Sequence, residues 1–519
     1  MDKKISRRRF TKLTVVSVTG LAVGCSSESE TSFEAVAVSD APAADPDAGW
    51  ADVSQDALAG DAIVDVAPEV TGPMNDGMVE DTTPPVETPL FDPSDFDEGA
   101  ELFPLAVQAG GAQSDGALLW TLYTGTESLD IVIFADTGQV SGELLIMAAV
   151  EVAEGGAVHV VAEGLEPWTR YQYCFVQRAG EAPQRSAVGR FRTPPAPGAA
   201  EIVRFGGTSC INDYYTPHNT LTRASEADLD FFILAGDTVY ADGATDLEAF
   251  RAVWRNALAD PGFSDLFTST SVVATWDDHE ITNNWDPEFI EPALLAAGTD
   301  AYFEHMAFRR IEEAPDRVWR AHRWGSTLEL FMLDSRSERL PSTRQTPLAQ
   351  YISPAQMAWL KEGLSASPCT FKLIVSSVPI TNFPDVIVSE NDRWEGYPLQ
   401  REEILGHIHD GEITGVVWLA GDFHFGAVTR IEPPPSAWST QREVVMGPGD
   451  QFINPGWLTL GLASGASQFS AAIGEVNYTR FTADPLSVPP KLTVEFISAD
   501  GEVLHEEAIA IDESSEETP

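Results

Sequence analysis

Positive charge is what this sequence most lacks. Of its 519 residues, 31 are Lys or Arg against 80 Asp or Glu, a formal net charge of −49. Lysine occurs only at Lys3, Lys4, Lys12, Lys361, Lys372 and Lys491, and no Lys or Arg stands between Lys12 and Arg170. So acidic a chain argues against a nucleic-acid partner, because a polyanion is repelled. Cysteine is also scarce. Cys25, Cys174, Cys210 and Cys369 make no disulfide framework. The apolar stretch Leu13–Val23 is too short to span a bilayer. Apolar side chains are not lacking, at 43% of residues with 9% aromatic. They suffice for real cores, and the length predicts more than one domain.

Composition divides the chain into five segments. Residues 1–25 read as a leader. Ser6-Arg7-Arg8-Arg9-Phe10-Thr11-Lys12 resembles a twin-arginine export signal, and Leu21-Ala22-Val23-Gly24-Cys25 resembles a lipoprotein processing box with Cys25 as the lipidated residue. That route carries proteins already folded, often with cofactors loaded, which fits a metal inserted in the cytoplasm. The expected location is the periplasm or cell surface, with the membrane touched only through the Cys25 anchor. Residues 26–98 are rich in Ala, Asp, Pro, Ser and Glu, as in Asp40-Ala41-Pro42-Ala43-Ala44-Asp45-Pro46-Asp47. Such a segment cannot bury a core and reads as a self-repelling tether. Residues 513–519 form an acidic tail.

Between them lie two folded units. Over 99–196 short runs alternate in polarity, predicting an all-β unit with strands at Leu118–Tyr123, Asp130–Phe134, Ala157–Ala162 and Arg170–Gln177. Gly164-Leu165-Glu166-Pro167-Trp168-Thr169-Arg170-Tyr171 resembles a fibronectin type III signature, in which a Tyr at the strand's start caps the corner through its hydroxyl. No catalytic constellation occurs there, so this unit is expected to be structural.

Over 200–512 strands alternate with helices, an α/β (α+β) pattern of central sheets flanked by helices. Ile202–Phe205, Phe231–Ala235, Val272–Thr275 and Val416–Ala420 read as buried parallel strands. Helices are predicted over Asp246–Leu258, from a capping box at Ser353-Pro354-Ala355-Gln356 through Leu364, and over Gln400–His407. Lys491–Ile497 and Glu502–Ile511 predict a hairpin. Each buried strand runs directly into polar chemistry, where an open sheet places its ligands. The four motifs are Ser209-Cys210, Gly236-Asp237-Thr238-Val239-Tyr240-Ala241-Asp242, Trp276-Asp277-Asp278-His279-Glu280 and Gly421-Asp422-Phe423-His424.

Asp, His, Tyr and Cys are the ligand types of a di-metal hydrolase. Asp237 has two oxygens and can bridge two cations, with Tyr240 three residues on. Asp277 and Asp278 repel unless a cation balances them, so a metal is expected near Asp278, with Asp277 bracing it. His279 suits a general acid. Asn283 and Asn284 either donate to phosphate oxygens or brace the loop. Asp242 reads as a hydrogen-bonding support. Asp422 and His424, two apart, reach one rim. Gly406-His407-Ile408-His409 has the spelling of a metal motif, but it ends a helical stretch and is set aside.

These residues resemble the alkaline phosphatase D (PhoD-like) family of the calcineurin-like metallophosphatase superfamily, over about residues 101–512. The resemblance rests on the four motifs, on Leu333-Asp334-Ser335-Arg336 and on Trp394-Glu395-Gly396-Tyr397-Pro398. Purple acid phosphatases share the Gly-Asp-x-x-Tyr-x-Asp element but use Asn and His where this chain has Asp278 and Asp422. The resemblance implies a metallophosphatase sandwich behind a fibronectin-like domain, a ferric ion held by Cys210, Asp237, Tyr240 and His424, and calcium at Asp237, Asp278 and Asp422. Other divalent ions suit the second site, whose oxygen ligands are hard. Arg336 either faces phosphate or pairs with Asp334. In two places the chain departs from the family. Ile211-Asn212-Asp213 follows Cys210 where Gln is usual, and Glu338 replaces an aromatic, which bears on the ester accepted.

The implied activity is that of an exported phosphoric ester hydrolase, scavenging phosphate from a small phosphoester as a monomer. Two cations activate a hydroxide for in-line attack while His279 protonates the leaving alkoxide. The alternative is a phosphodiesterase or phospholipase D-type enzyme on nucleotide, teichoic or phospholipid head groups. A non-catalytic surface lipoprotein is a further reading, against which the intact metal set argues.

Overall fold

In the computed structural model the described residues are 13–16, 89–180, 182–382, 392–455 and 468–511. The twin-arginine motif, Cys25, nearly all of the tether and the 513–519 tail lie outside them. By contacts the chain divides into Met1–Thr19 with Thr88–Pro519 and, separately, Gly20–Glu87. The described sheets and helices belong to the first unit.

Two sheets packed face to face build the site. The first runs in the order Leu13–Val16, Ala157–Glu163, Gly116–Leu122, Gln108–Gln113, Ser271–Thr275, Phe231–Ala235, Val203–Thr208, Asn477–Asp484, Lys491–Ser498 and Val503–Ala510. The second runs Arg320–Trp324, Leu328–Met332, Phe371–Val375, Val416–Ala420, Arg442–Val445, Gly426–Arg430 and Phe469–Ile473. The central strands are parallel and apolar on both faces, which explains their unbroken hydrophobic runs. Along Phe231–Ala235, Phe231, Ile233 and Ala235 enter the core between the sheets, whereas Phe232 and Leu234 face the helices. Phe205 stacks between Phe231 and Phe481, at centroid distances of 4.8 and 4.7 Å.

Helices Leu247–Leu258, Pro261–Ser269 and Pro292–His305 cover the outer face of the first sheet through Phe250, Trp254, Phe263 and Tyr302. Pro354–Ala366 and Pro398–Asp410 cover the second through Met357, Leu360, Ile404 and Leu405. The result is a helix–sheet–sheet–helix sandwich with every parallel strand's carboxyl end on one rim. Three of the four motif strands lie in the first sheet. Val416–Ala420 lies in the second, so the motifs converge across the sandwich and not along one open sheet.

The third sheet contains Leu90–Phe91, Gly142–Val150, Leu129–Ala135, Arg170–Gln177, Gln184–Arg185 and Asp97–Glu98, with Gly189–Arg192 paired to Arg170–Gln177. It closes over Gln108–Gln113, Gly116–Leu122 and Ala157–Glu163 around Val107, Leu119, Ile131, Val160 and Phe175. The Tyr171 hydroxyl accepts the Glu166 N–H at 2.8 Å, the expected corner bond.

Three features differ from the sequence expectation. After Leu13–Val16, the next described element starts at Leu90 and not at 99, and Phe91 is buried against Phe96 and Phe134. The amino-terminal strands are not a separate slab, since Ala109 and Gly110 pair in parallel with Ser271 and Val272. Ser353 caps its helix by accepting the Gln356 N–H at 3.1 Å, but the Gln356 amide does not close the box. It accepts from the Asp334 N–H at 3.0 Å and donates to the Asp334 carbonyl at 3.1 Å, bracing the Leu-Asp-Ser-Arg loop.

Candidate metal centre

Four of the six expected ligands sit in left-handed backbone: Cys210 at φ 57°, Asp237 at 54°, Asp422 at 65° and His424 at 53°. Such conformations are uncommon outside glycine and cost roughly 1–3 kcal/mol each. Neighbouring hydrogen bonds fix them. The Ile211 N–H donates to the Asp237 carbonyl at 2.9 Å, and the Asn454 N–H to that of His424 at 3.0 Å. Gly236, at φ 92°, leaves no room for a side chain: a Cβ there would lie 2.7 Å from Asp277 Cβ.

The ligand atoms of Cys210, Asp237 and His424 lie within 4.8 Å of one another, as do those of Asp237, Asp278 and His279 and those of Asp237, Asp277 and Asp422. Tyr240 Oη donates to Asp237 Oδ2 at 3.3 Å. All six expected ligands therefore meet around Asp237, which belongs to every group. The partition differs from expectation in one respect. Asp278 and Asp422 are expected together with Asp237, but each meets it beside a different third residue, His279 and Asp277 respectively.

Asp277 is not free to bind outward. Arg336 grips both its oxygens, Nε to Oδ1 at 2.5 Å and Nη2 to Oδ2 at 2.9 Å, and Ser377 Oγ donates to Oδ1 at 2.7 Å. The Arg336 guanidinium is fully buried and also pairs with Asp392. Only its backbone N–H reaches the Asp334 side chain, at 3.0 Å. It thus stands behind the acidic cluster as a fixed positive charge, its partner being Asp277 and not Asp334. Glu338 is likewise occupied. It accepts from Trp319 Nε1 at 2.8 Å, Gln356 Nε2 at 2.6 Å and the Ser353 N–H at 3.1 Å, an internal brace and not a pocket wall.

His279 Nδ1 bonds Asp242 Oδ2 at 2.6 Å, and its ring stacks on Tyr240 at 4.1 Å. Burial opposes the imidazolium, but the Asp242 bond and the charges of Asp278, Asp242 and Asp277 raise the His279 pKa above its ordinary value. Asp242 also accepts the Asn283 N–H, and Asp278 accepts the Asn284 N–H, each at 2.5 Å. The Asn283 and Asn284 residues themselves are exposed. Four further contributors have no role assigned from the sequence, although Glu280 stands within the third motif. Glu280 accepts from Thr238 N–H at 2.6 Å and Asp277 N–H at 2.9 Å, tying two loops together. Asp392 holds both Arg336 and Arg339. Gln451 lies beside the Tyr240 hydroxyl, and the Phe452 ring meets His424 edge-on at 4.8 Å.

The donor set fits cations. Burial and the charges of Asp278, Asp277, Glu280 and Asp422 push the Asp237 carboxyl well above the usual carboxylate range. Burial and neighbouring carboxylates do the same to Asp422, and burial with Asp237 raises Cys210 and Tyr240. Bound cations would supply the missing counter-charge. Burial holds His424 down to about 4, leaving its imidazole neutral and able to donate a lone pair. The set-aside His407 and His409 lie in the last turn of Pro398–Asp410, where His407 Nε2 meets Ser365 Oγ at 3.0 Å. Cys174 and Cys369 are buried and unpaired.

A family model described as PhoD-like phosphatase matches residues 204–452, and one for the PhoD-like phosphatase N-terminal domain matches 91–195. Alkaline phosphatase D of Bacillus subtilis (strain 168) is 26% identical over 381 residues, covering 62% of this chain and 64% of that relative. The match thus spans a little under two thirds of the relative's length. The fold is similar to the solved structure of PhoD, with a TM-score of 0.67 and 20% identity over 79% of this chain and 89% of that one. It is also similar to a purple acid phosphatase from yellow lupin (Lupinus luteus) seeds, with a TM-score of 0.58 and 14% identity over 79% and 75%. At these identities the two structures establish the shared sandwich.

Proposed function

The chain belongs to the PhoD-like phosphatase family, and from that premise we propose that it is a phosphoric ester hydrolase working at the rim around Asp237. The observation that carries this reading is the convergence of Cys210, Asp237, Tyr240, Asp278, Asp422 and His424 from two sheets, with Asp237 in every donor group. Cys210, Asp237, Tyr240 and His424 would hold one ion. Asp237 with Asp278 and Asp422 would hold the other. Thiolate and phenolate donors favour ferric iron at the first, and carboxylates favour calcium or another hard divalent ion at the second. Bound there, such ions would supply Lewis acidity toward a phosphoryl oxygen and acidify water.

The chain's own residues do the rest. Asp242 fixes His279 through Nδ1, leaving Nε2 to give a proton to the departing alkoxide. Arg336 and Ser377 fix Asp277 at the back of the acidic cluster. The exposed Asn283 and Asn284 stand where they can donate to phosphate oxygens, and no Ser or Thr is required as a nucleophile. Ser209 instead donates to the Met446 carbonyl at 3.1 Å.

The setting is also proposed. The leader sequence supports export by the twin-arginine route with lipid anchoring at Cys25, and hence phosphate scavenging outside the cytoplasm. The Tyr171 corner bond supports a fibronectin type III-like reading of the amino-terminal sandwich. Turnover of paired chromogenic substrates, a phosphomonoester and a phosphodiester, tests the proposal. Monoester hydrolysis is expected. Turnover of the diester alone would replace phosphate scavenging with head-group or nucleotide cleavage, and turnover of neither by the metal-loaded chain would overturn the reading.

A further inference from the structure

One segment outside the proposed chemistry straps the ligand loops together. Asp450 is its anchor: its N–H donates to the Cys210 carbonyl at 3.3 Å, and its carbonyl accepts the Asn212 N–H at 2.9 Å. The next residues reach the centre itself, Gln451 at Tyr240, Phe452 against His424, and Asn454 on the His424 carbonyl. The Asp450 carboxylate is held elsewhere. Thr220 Oγ1 donates to it at 2.8 Å, and His218 Nδ1 lies 3.5 Å away. On the other side of the ring, His218 Nε2 lies 3.9 Å from Asp213 Oδ1, and the His218 backbone N–H donates to Asp260 Oδ1 at 3.1 Å. The imidazole is completely buried and packs edge-on against Phe263 at 5.5 Å.

We propose that His218 is a positioning residue: as a buried cation between Asp213 and Asp450 it holds the 449–454 strap, and through the strap the Tyr240 and His424 side chains. The proposal rests on the reading of those two residues as metal donors. Charge balance supports it. Among the described residues no Lys or Arg forms an ion pair with Asp213, Asp260 or Asp450, so His218 is the cation these carboxylates share. Its ring nitrogens, 3.5 and 3.9 Å from the two carboxylates, lie within ion-pair reach of both and beyond ordinary hydrogen-bond distance. Burial alone would favour the neutral ring, but Asp213, Asp450 and Asp260 together raise the His218 pKa to about 9. A cation stabilised in this way contributes fully below its unfolded value and is lost as pH rises through about 9. Losing it leaves the buried Asp450 carboxylate without a counter-charge, and Asp450 anchors the strap.

The test uses the full, metal-loaded chain with His218→Gln and Asp450→Asn. Chymotryptic cleavage after Phe452, followed by mass spectrometry at neutral pH, reads the strap without any turnover. His218→Gln is expected to be cut about tenfold faster or more than wild type, through local opening. In NMR titration a histidine ring of the wild type, absent from His218→Gln, should titrate near 9, and Asp450→Asn should move it down by at least about one unit. Should the chain hydrolyse a phosphoester, His218→Gln is expected to lose about ten- to a hundredfold in kcat with KM little changed. An unchanged cleavage rate in His218→Gln, or in wild type no histidine ring titrating above its ordinary range, would overturn the proposal. Should His218→Gln fail to fold, the wild-type titration and Asp450→Asn still decide it. Failure of hydrolysis alone would overturn the functional reading and leave the strap standing.

Discussion

Asp237 belongs to every donor group on the rim, and among the described residues no other does. Replacing it with Asn keeps the size and removes the charge that two cations would share. Asp237→Asn is expected to fall below about a hundredth of wild-type hydrolysis, measured on the chromogenic monoester. His279 makes a different demand, because a proton donor matters in proportion to how poor the leaving group is. His279→Gln should lose about 10²–10⁴-fold on an alkyl phosphate and much less on nitrophenyl phosphate. An equal loss on both would remove it from that role. Arg336 is a third kind of residue. Its buried pair with Asp277 means that Arg336→Met leaves that carboxylate without a counter-charge, Asp392 keeping Arg339, and urea unfolding should show about 3–5 kcal/mol less stability. At this scale the sequence is informative where a motif follows a strand directly, as for Asp237, Asp278, Asp422 and His424. It is silent on Asp392 and Gln451, because nothing local marks a residue whose partner lies in another loop. Arg336 is legible as important and not as Asp277's partner, since Asp334 is nearer in the chain.

Strands buried on both faces announce themselves, and for that reason Phe231–Ala235 and Val416–Ala420 are found at the predicted positions. Leu247–Leu258 does so as well, its Asp246 cap accepting from Ala249 N–H at 3.0 Å. The pattern over 353–356 is a subtler case. The Ser353 cap is legible, but Gln356 serves the neighbouring loop, because the buried Asp334 backbone needs a partner more than an exposed helix end does. Pro261–Ser269 is short for a periodic signal, although Phe263, Leu266 and Phe267 fall at helical spacing behind its first-turn Pro, whereas Pro292–His305 has no regular apolar stripe. Gly236 is the element-scale control. Gly236→Ala introduces a Cβ 2.7 Å from Asp277 Cβ at a φ that alanine disfavours. It should lose metal and activity together while far-UV circular dichroism stays unchanged.

Across the whole molecule, the amino-terminal sandwich and the catalytic sheets share backbone hydrogen bonds. Gln108–Gln113 is a strand of the same sheet as Ser271–Thr275. Composition divides the two units by their polarity pattern and does not show that they share a sheet, because alternating polarity marks a strand without naming its neighbour. Removing residues 1–195 strips the first sheet of Gln108–Gln113, Gly116–Leu122 and Ala157–Glu163, and it uncovers the edge of a strand adjoining the ligand loops. The truncated chain should aggregate where the chain from residue 89 onward stays soluble, as size-exclusion chromatography would show.

The most direct test of the centre is metal content, measured by plasma mass spectrometry on purified wild type and Asp237→Asn alongside hydrolysis. About two tightly bound cations per wild-type chain are expected, falling below one in Asp237→Asn with hydrolysis lost in step. Full metal occupancy in Asp237→Asn, or undiminished hydrolysis by a metal-stripped chain, would contradict a centre built around Asp237.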